Sequence, residues 1–410
     1  MTGRIFRIGI DISTLLNHGP DIGAGRYIIN LIRSLLEIDN KNTYVLTGRY
    51  TSARYLEIAY NLKKDFENNK IELKFYRTPQ KKLDLWNRLK FPPIEFLGFK
   101  ADILHCPDYL IPPTLNKNIV LTIHDLAFIR FPEFNFDWFI KKYNREVEKN
   151  AQISRKIIAD SESTKNDIVN FFKIDPDKIE VVYLAADNLF KKLLEKEKYK
   201  SVLKKYKIDK KYILSVGTIE PRKNFTTLIK AFNLLKDNIK GKAARTNGPA
   251  DGYPDPQDIQ LQNLQLVIVG RTGWKSEATY KERELSPYKE DILFLGRVPD
   301  EDLLQIYNQA ELFVYPSIFE GFGLPPLEAM SCGLPVIASN CSALREVVGD
   351  AGILIPPNNH KEISKQILYV LKNEKIIEEL KEKSLYQAKK FNWVKTAQKT
   401  LEIYHSYCYF

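Results

Sequence analysis

Short apolar runs rich in Val, Ile and Leu alternate with amphipathic stretches through the first half of this chain. Continuous apolar runs are typical of strands that are buried on both faces of a parallel sheet. The stretches between them have helical spacing and predict helices on both faces of the sheet. The predicted strands of this half are residues 8–12, 44–47, 71–75, 103–105, 119–124, 156–159 and 179–182.

The same alternation starts again after a charged stretch at residues 191–206. The repeat predicts two Rossmann-like α/β domains, the first over residues 1–190 with a terminal helix at about 391–410, and the second over residues 191–390. A Gly- and Pro-rich segment, residues 241–263, interrupts the pattern and predicts an inserted surface loop. The predicted strands of this half are residues 212–216, 266–269, 292–295, 312–315, 336–339 and 353–355.

Length and composition agree with a soluble two-domain protein. The chain has 410 residues, of which 44% are hydrophobic and 28% charged, and this length favours two domains. We expect a cytoplasmic protein, because neither a long apolar run nor a signal-peptide pattern is present. The net charge of +11 favours anionic partners, although a Lys-rich solvated surface explains the charge equally well.

The segment from Phe319 to Glu328 carries the most informative chemistry. Glu320 and Glu328 flank a Gly-rich turn that lies between the predicted strand 312–315 and a helix. Such a turn directs backbone N–H groups and the positive end of a helix dipole at an anion. A carboxylate in that turn is suited to accept hydrogen bonds from hydroxyl groups. The combination predicts a nucleotide-sugar site.

Two adjacent cations, Arg222 and Lys223, follow the predicted strand 212–216. Ligands of open α/β sheets bind at the carboxyl ends of the strands, where these cations would neutralise a diphosphate. The alternative is a helix start with two solvated cations. We favour the anion site because a cation is unfavourable at the positive end of a helix dipole.

Three weaker candidates lie in the N-terminal half. Gly23 and Gly25 form a turn at the start of the first predicted helix, and the turn either approaches a ligand or is only a tight turn. His124 ends the predicted strand 119–124, where a histidine faces the ligand crevice or fills a structural role. Ser161 precedes a helix and is interpreted as its N-cap. The acidic triplets 175–177 and 300–302 lack the context of a metal site.

These motifs together resemble glycosyltransferase family four, the retaining group 1 transferases. The resemblance extends over nearly the whole chain and includes GAGRY, TIHDLAF, VGTIEPRKN and FEGFGLPPLEAM. It implies a GT-B fold, in which two Rossmann-like domains face a central cleft. The sequence GTIEPRKN is most similar to the corresponding motif of bacterial mannosyltransferases of polysaccharide synthesis. This resemblance implies GDP-mannose as the donor.

The resemblance also implies a role for each matched residue. Arg222 and Lys223 would bind the donor diphosphate, Glu320 the sugar hydroxyls and Glu328 the ribose. The remaining donor contacts would come from His124 near the reacting carbon, from the backbones of Val298, Phe322, Gly323 and Leu324, and from the glycine loop of Gly23 and Gly25. The implied reaction retains the anomeric configuration and needs neither a metal nor another cofactor.

The stretch of residues 77–100 combines six Lys or Arg with two acids and interleaves Trp86, Phe91, Phe96 and Phe99. Such a composition suits the surface of an anionic membrane, where a lipid-linked acceptor would be found. The chain would then be peripheral at the inner face of the membrane. The alternative, which we rate slightly higher, is that the aromatic residues belong to the core.

Three functions compete for this sequence. The first is transfer of a hexose from a nucleotide-sugar to a hydroxyl of a glycan or lipid-linked acceptor, with a UDP-sugar as the second choice of donor. The second is another enzyme of the same fold, such as a glycoside phosphorylase or a nucleotide-sugar epimerase. The third, a nucleic-acid-binding protein, is supported only by the net charge, so we expect no nucleic-acid partner.

Overall fold

The computed structural model describes residues 5–20, 22–66, 70–194, 200–246 and 261–406. The chain divides into two compact units, each built around its own parallel sheet. The first unit comprises Met1–Pro132, Phe136–Ala185 and Asn392–Phe410, and the second comprises Glu133–Asn135 and Ala186–Phe391. The last residues of the chain therefore belong to the same unit as the first.

The first unit contains a seven-stranded sheet in the order β3-β2-β1-β4-β5-β6-β7. All neighbouring strands are parallel, and each of them lies where the hydrophobic pattern predicts a strand. The central strands are buried along their length because both faces of the sheet carry helices. The strands are β1 (Arg7–Asp11), β2 (Thr43–Tyr50), β3 (Lys70–Arg77), β4 (Ile103–Cys106), β5 (Ile119–Ile123), β6 (Lys156–Ala159) and β7 (Ile179–Val181).

The second unit contains a six-stranded parallel sheet in the order β10-β9-β8-β11-β12-β13. Successive residues of one strand enter different cores: Tyr212 and Leu214 pack on one face, and Ile213 packs on the other. The two cores explain why the strands are apolar at nearly every position. The strands are β8 (Tyr212–Val216), β9 (Gln265–Val269), β10 (Ile292–Gly296), β11 (Leu312–Tyr315), β12 (Val336–Ser339) and β13 (Ile353–Ile355).

Sixteen α-helices are assigned in the described ranges. The side chain of Ser161 accepts from the backbone N–H of Thr164 and caps α7 as predicted. The helices are α1 (Ser13–His18), α2 (Gly23–Ile38), α3 (Leu56–Asp65), α4 (Gln80–Leu89), α5 (Ala127–Arg130), α6 (Asp137–Ile153), α7 (Glu162–Phe172), α8 (Lys200–Lys205), α9 (Phe225–Thr246), α10 (Glu277–Glu284), α11 (Asp300–Gln309), α12 (Leu324–Ser331), α13 (Leu344–Val348), α14 (His360–Leu371), α15 (Glu374–Ala388) and α16 (Trp393–His405).

Two local predictions differ from the structure. The helix α9 continues to Thr246, so residues 241–246 are helical where the sequence predicts the start of an inserted loop. Leu261 is buried in a core of the second unit, and residues 247–260 of the predicted loop lie outside the described residues. In the first unit, α1 lies between β1 and the glycine turn, which therefore does not follow the strand directly.

Across the described ranges, no helix is both long enough and apolar enough to cross a bilayer.

Candidate active site

Two neighbouring strands of the second unit, β8 and β11, carry the predicted cations and Glu320 just beyond their carboxyl ends. After β8 the chain forms a short 3-10 turn at Pro221–Lys223, and Asn224 has a left-handed backbone with φ of 57°. The side-chain amide of Asn224 donates to the backbone oxygens of Pro316 (3.1 Å) and Pro357 (2.8 Å). This amide fixes the cation turn against the loop that follows β11.

The carboxylate of Glu320 lies at the centre of the site and is buried. Its Oε1 accepts from Lys223 Nζ at 2.6 Å, from Tyr315 Oη at 2.9 Å and from Ser317 Oγ at 2.5 Å. Its Oε2 accepts from Arg222 Nη1 at 2.9 Å. Glu320 is therefore oriented by both predicted cations and by two hydroxyl groups at the same time.

Charge in this cluster is balanced. Arg222 also forms an ion pair with the buried Glu220 at 3.0 Å, so two cations face two carboxylates. Burial alone would raise the pKa of Glu320, but the charges of Arg222 and Lys223 and their hydrogen bonds lower it to about 2. Burial and the charge of Arg222 lower the pKa of Lys223. Glu320 is therefore a carboxylate at neutral pH, and hydrogen bonds from Lys223, Arg222, Tyr315 and Ser317 fix its orientation.

Helix α12 begins four residues after Glu320, and the glycine that precedes it has an unusual backbone. Gly323 is the N-cap, with φ of 113° and ψ of 57°, a region that favours glycine. The first helical residue is Leu324, and the two that follow, Pro325 and Pro326, have no backbone N–H. The backbones of Gly323 and Leu324 thus supply the N–H groups at the positive end of this short helix.

The second glutamate of the motif, Glu328, is on the second turn of α12 and is buried. Its Oε2 accepts from the hydroxyl of Tyr307 at 3.0 Å. Val298 follows β10, and its side chain is part of a core cluster of the second unit. The buried side chain of Val298 is consistent with the predicted role, which concerns only its backbone.

In the first unit, His124 follows β5 and contacts two acceptors. Its Nδ1 lies 2.7 Å from Oδ2 of Asp160, and its Nε2 lies 3.1 Å from the backbone oxygen of Pro107. Burial would lower the pKa of His124, but the charge and hydrogen bond of Asp160, with help from Asp108, raise it to about 9. His124 is therefore a cation at neutral pH, and both of its N–H groups point at protein acceptors.

Gly23 and Gly25 are in the first turn of α2 rather than in a separate loop. A Cβ on Gly25 would lie 1.9 Å from the backbone oxygen of Gly19, so close packing requires glycine there. Among the described residues, no atom lies within 4 Å of the corresponding position on Gly23. The structure thus gives Gly25 a packing role that the sequence prediction did not include.

In each unit, several partners of the predicted residues were not predicted from the sequence. Tyr315 and Ser317 contact Glu320, Glu220 contacts Arg222, and Asp160 contacts His124. Asp160 directly follows β6, the neighbour of β5, so the strand-end rule that selected His124 applies to it as well. Among the described residues, no three His, Cys, Asp or Glu side chains converge in a way that could hold a metal ion.

Comparison with known proteins agrees with these features. The family described as Glycosyltransferase Family 4 matches residues 22–188, and the family described as Glycosyl transferases group 1 matches residues 195–391. O-antigen chain mannosyltransferase B of Escherichia coli is 33% identical over 75% of this chain and 74% of that protein. The chain belongs to the group 1 glycosyltransferases, as its motifs indicated, and it is a glycosyltransferase.

Further relatives match a smaller part of their own length. The serotype-specific mannosyltransferase WbdA of Escherichia coli is 32% identical over 69% of this chain, which spans 33% of that protein. The N-acetylgalactosamine-N,N'-diacetylbacillosaminyl-diphospho-undecaprenol 4-alpha-N-acetylgalactosaminyltransferase of Campylobacter jejuni is 29% identical over 60% of this chain and 59% of that protein.

Solved structures of glycosyltransferases share the fold at low sequence identity. A glycosyltransferase from Rickettsia africae has a TM-score of 0.67 and 19% identity, with 98% of each chain covered. Anabaena Alr3699/HepE, solved in complex with UDP-glucose, has a TM-score of 0.70 and 16% identity, with 98% of this chain and 100% of that chain covered. The predicted GT-B fold is confirmed.

Proposed function

We propose that this glycosyltransferase transfers mannose from GDP-mannose to a hydroxyl of a glycan or lipid-linked acceptor in cell-surface polysaccharide synthesis. Two of the relatives are named mannosyltransferases, one of them of the O-antigen chain. The name of the Campylobacter relative includes diphospho-undecaprenol, a lipid carrier. The observation that carries the proposal is the Arg222–Lys223–Glu320 cluster beside the start of α12.

The cluster would bind the donor without a metal. Arg222 and Lys223 are held in place before the donor arrives, so little conformational entropy is lost when their N–H groups meet the diphosphate. The N–H groups of Gly323 and Leu324 would add the positive end of the α12 dipole. Glu320 would accept from sugar hydroxyls, and Glu328 from the ribose hydroxyls.

The proposed reaction retains the anomeric configuration. The bond between the anomeric carbon and the diphosphate oxygen breaks, and the acceptor oxygen forms its bond to the same face of that carbon. The acceptor proton passes to the departing phosphate oxygen, so no protein base is required. The contribution of the protein is placement of the two substrates and stabilisation of the developing negative charge.

The donor and the reaction class are tested by one set of assays on the full chain. We expect hydrolysis or transfer with GDP-mannose in the presence of EDTA, an axial product linkage by NMR, and a higher melting temperature with GDP than with UDP, ADP or phosphate. Preference for UDP would refute the donor, and loss of turnover with EDTA would refute metal independence. Phosphorolysis without a nucleotide would indicate a glycoside phosphorylase, and interconversion of free sugar nucleotides an epimerase.

A matched pair of variants tests the diphosphate site. Arg222→Gln should weaken GDP binding at least tenfold, because it removes a charge-assisted contact of about 1.5–3 kcal/mol. The control is Lys211→Gln, which removes an exposed cation that pairs with Glu311. Lys211 lies just before β8, at the opposite end of this strand from Arg222. Equal GDP affinity in the two variants would show that the diphosphate binds elsewhere.

A further inference from the structure

One surface of the first unit exposes an unusual group of large apolar side chains. The group, which we call the apolar patch, lies on α4 and on the turn that follows it. Phe91 and Phe96 are 64% and 66% exposed, and their rings meet edge to face with centroids 6.1 Å apart. The complete patch consists of Leu85, Leu89, Phe91, Phe96 and Leu97, all of which are exposed.

The exposure of the patch results from the fold, because neighbouring residues anchor the segment firmly. Trp86, Ile94 and Phe99 are buried in the core of the unit. The indole of Trp86 donates to the backbone oxygen of Pro92 at 2.5 Å, and the hydroxyl of Tyr76 donates to the backbone oxygen of Leu97 at 3.2 Å. Two of the four aromatic residues in this segment are thus core, and the other two are held outward.

The charges around the patch are mainly positive. Five cations between residues 81 and 100 are exposed. Glu95 faces away from them, because its carboxylate accepts from the backbone N–H groups of Leu115 and Asn116. Within the described part of the chain, Lys90 is the only one of these cations in an ion pair, and its partner is Glu146 at 3.4 Å. The exposed cations are Lys81, Lys82, Arg88, Lys90 and Lys100.

We propose that the apolar patch docks on the surface of an anionic bilayer, with Phe91 and Phe96 inserted at the headgroup level and the cations on the lipid phosphates. Exposed aromatic and leucine side chains with a cationic rim are the composition that such a surface binds. The patch is formed by the end of α4 and the turn that follows it, and its cations are complementary to lipid phosphates. The inference rests on the proposed function only in explaining why the protein would bind a membrane, which is to reach a lipid-linked acceptor.

The test is flotation of the full chain with vesicles, without any sugar nucleotide. We expect binding to vesicles of phosphatidylglycerol and phosphatidylcholine at low salt, and little binding to phosphatidylcholine alone. The double variant Phe91→Ser/Phe96→Ser should lower the partition coefficient at least tenfold. Replacing Lys81, Lys82 and Arg88 by Gln should lower it roughly 100-fold, from about 1 kcal/mol for each charge near the surface.

The matched control replaces two apolar residues of similar exposure in the second unit, Leu285→Ser and Tyr386→Ser, which are 71% and 70% exposed. Their partition coefficient should equal that of the original chain. Absence of flotation at low salt, or equal loss in the control, would overturn the proposal. A dimer in sedimentation analysis that Phe91→Ser/Phe96→Ser dissociates, without vesicle binding, would instead assign the patch to a second copy of the chain. None of these results depends on transferase activity, so a wrong donor is detected separately.

Discussion

At the scale of single residues, Glu320 has a second role beside the proposed contact with sugar. The buried Lys223 and the partly buried Arg222 lie around it, and removal of a buried charge leaves its partners uncompensated. The carboxylate thus stabilises Arg222 and Lys223 in the absence of donor. The low pKa of Glu320 means that this stabilisation is present above the ordinary carboxyl pKa and is lost only as the pH falls towards about 2.

We predict that Glu320→Gln lowers turnover strongly and also costs about 3 kcal/mol or more of unfolding free energy. The control is Tyr315→Phe, which removes the hydrogen bond to the same oxygen and the one that the hydroxyl accepts from Lys223 Nζ, without changing a charge. It should cost less, about 1–3 kcal/mol. Amide hydrogen exchange across β8 and β11 measures both costs. Near-normal turnover and unchanged protection in Glu320→Gln would contradict both roles.

A pH profile tests the role of His124. Its raised pKa means that the cation is present below about pH 9 and is lost as the pH rises through that value. If the cation supports transfer, kcat/KM should fall with an alkaline midpoint near pH 9. Asp160→Asn should move this midpoint to near or below pH 7, because it removes the charge that opposes burial.

The control for that profile is Asp167→Asn. Asp167 is another buried aspartate of the first unit, and it pairs with Arg130 instead of a histidine. This variant should lose stability while the alkaline midpoint stays where it is in the original chain. An unchanged midpoint in Asp160→Asn would mean that Asp160 does not act through the charge of His124.

The sequence identified the principal candidate residues because each follows a strand, and the carboxyl ends of parallel strands meet at one edge. It did not identify their partners. Whether Ser317 or Tyr315 reaches Glu320 depends on loop dihedrals that no hydrophobic pattern encodes. Asparagine tolerates the left-handed backbone of residue 224, but the backbone oxygens that the Asn224 amide contacts follow β11 and β13, far away in sequence.

At the scale of elements, the start of α12 depends on one glycine. A Cβ on Gly323 would lie 2.7 Å from Cδ2 of Leu344, and the residue has φ of 113°. We predict that Gly323→Ala costs about 1–3 kcal/mol of stability and weakens GDP binding at least tenfold, because the N–H of Leu324 must move. Chemical denaturation and calorimetric titration with GDP measure the two effects.

Gly241→Ala is the matched control for that substitution. Gly241 lies in helix α9, and a Cβ there has nothing within 4 Å among the described parts of the chain. Alanine should therefore stabilise the helix by about 0.5–1 kcal/mol and leave GDP affinity unchanged. Equal GDP affinity in the two variants would argue against a role for the α12 N-terminus in donor binding.

The strands were predictable because burial on both faces makes each one a continuous apolar run, and the thirteen strands of the two sheets all lie at predicted positions. Helix α1 was missed, because its six residues are too few to establish a helical period. The end of α9 was missed because Gly241 and the polar residues after it favour a loop locally.

At the scale of the whole molecule, the chain leaves the first unit, builds the second and returns. The last two helices therefore stabilise different units, although they are neighbours in sequence. Helix α15 belongs to the second unit, where the hydroxyl of Ser384 donates to the backbone oxygen of Leu334 at 3.0 Å. Helix α16 belongs to the first unit, where the hydroxyl of Tyr404 lies 2.6 Å from Nδ1 of the buried His105.

This arrangement predicts that two similar substitutions, twenty residues apart, destabilise different halves of the protein. Tyr404→Phe leaves a buried ring nitrogen without its hydroxyl partner and should cost about 1–3 kcal/mol. Burial lowers the pKa of His105 to about 3, so the ring stays neutral and protonation does not relieve the loss. Amide exchange should accelerate in α2, on which α16 packs, in β4, which carries His105, and in β5, which pairs with β4. It should stay unchanged in β8–β13. Ser384→Ala should give the reverse pattern at a smaller cost, because a sheet unfolds with the helices that cover it. Equal acceleration in both sheets for either variant would mean that the two units unfold as one.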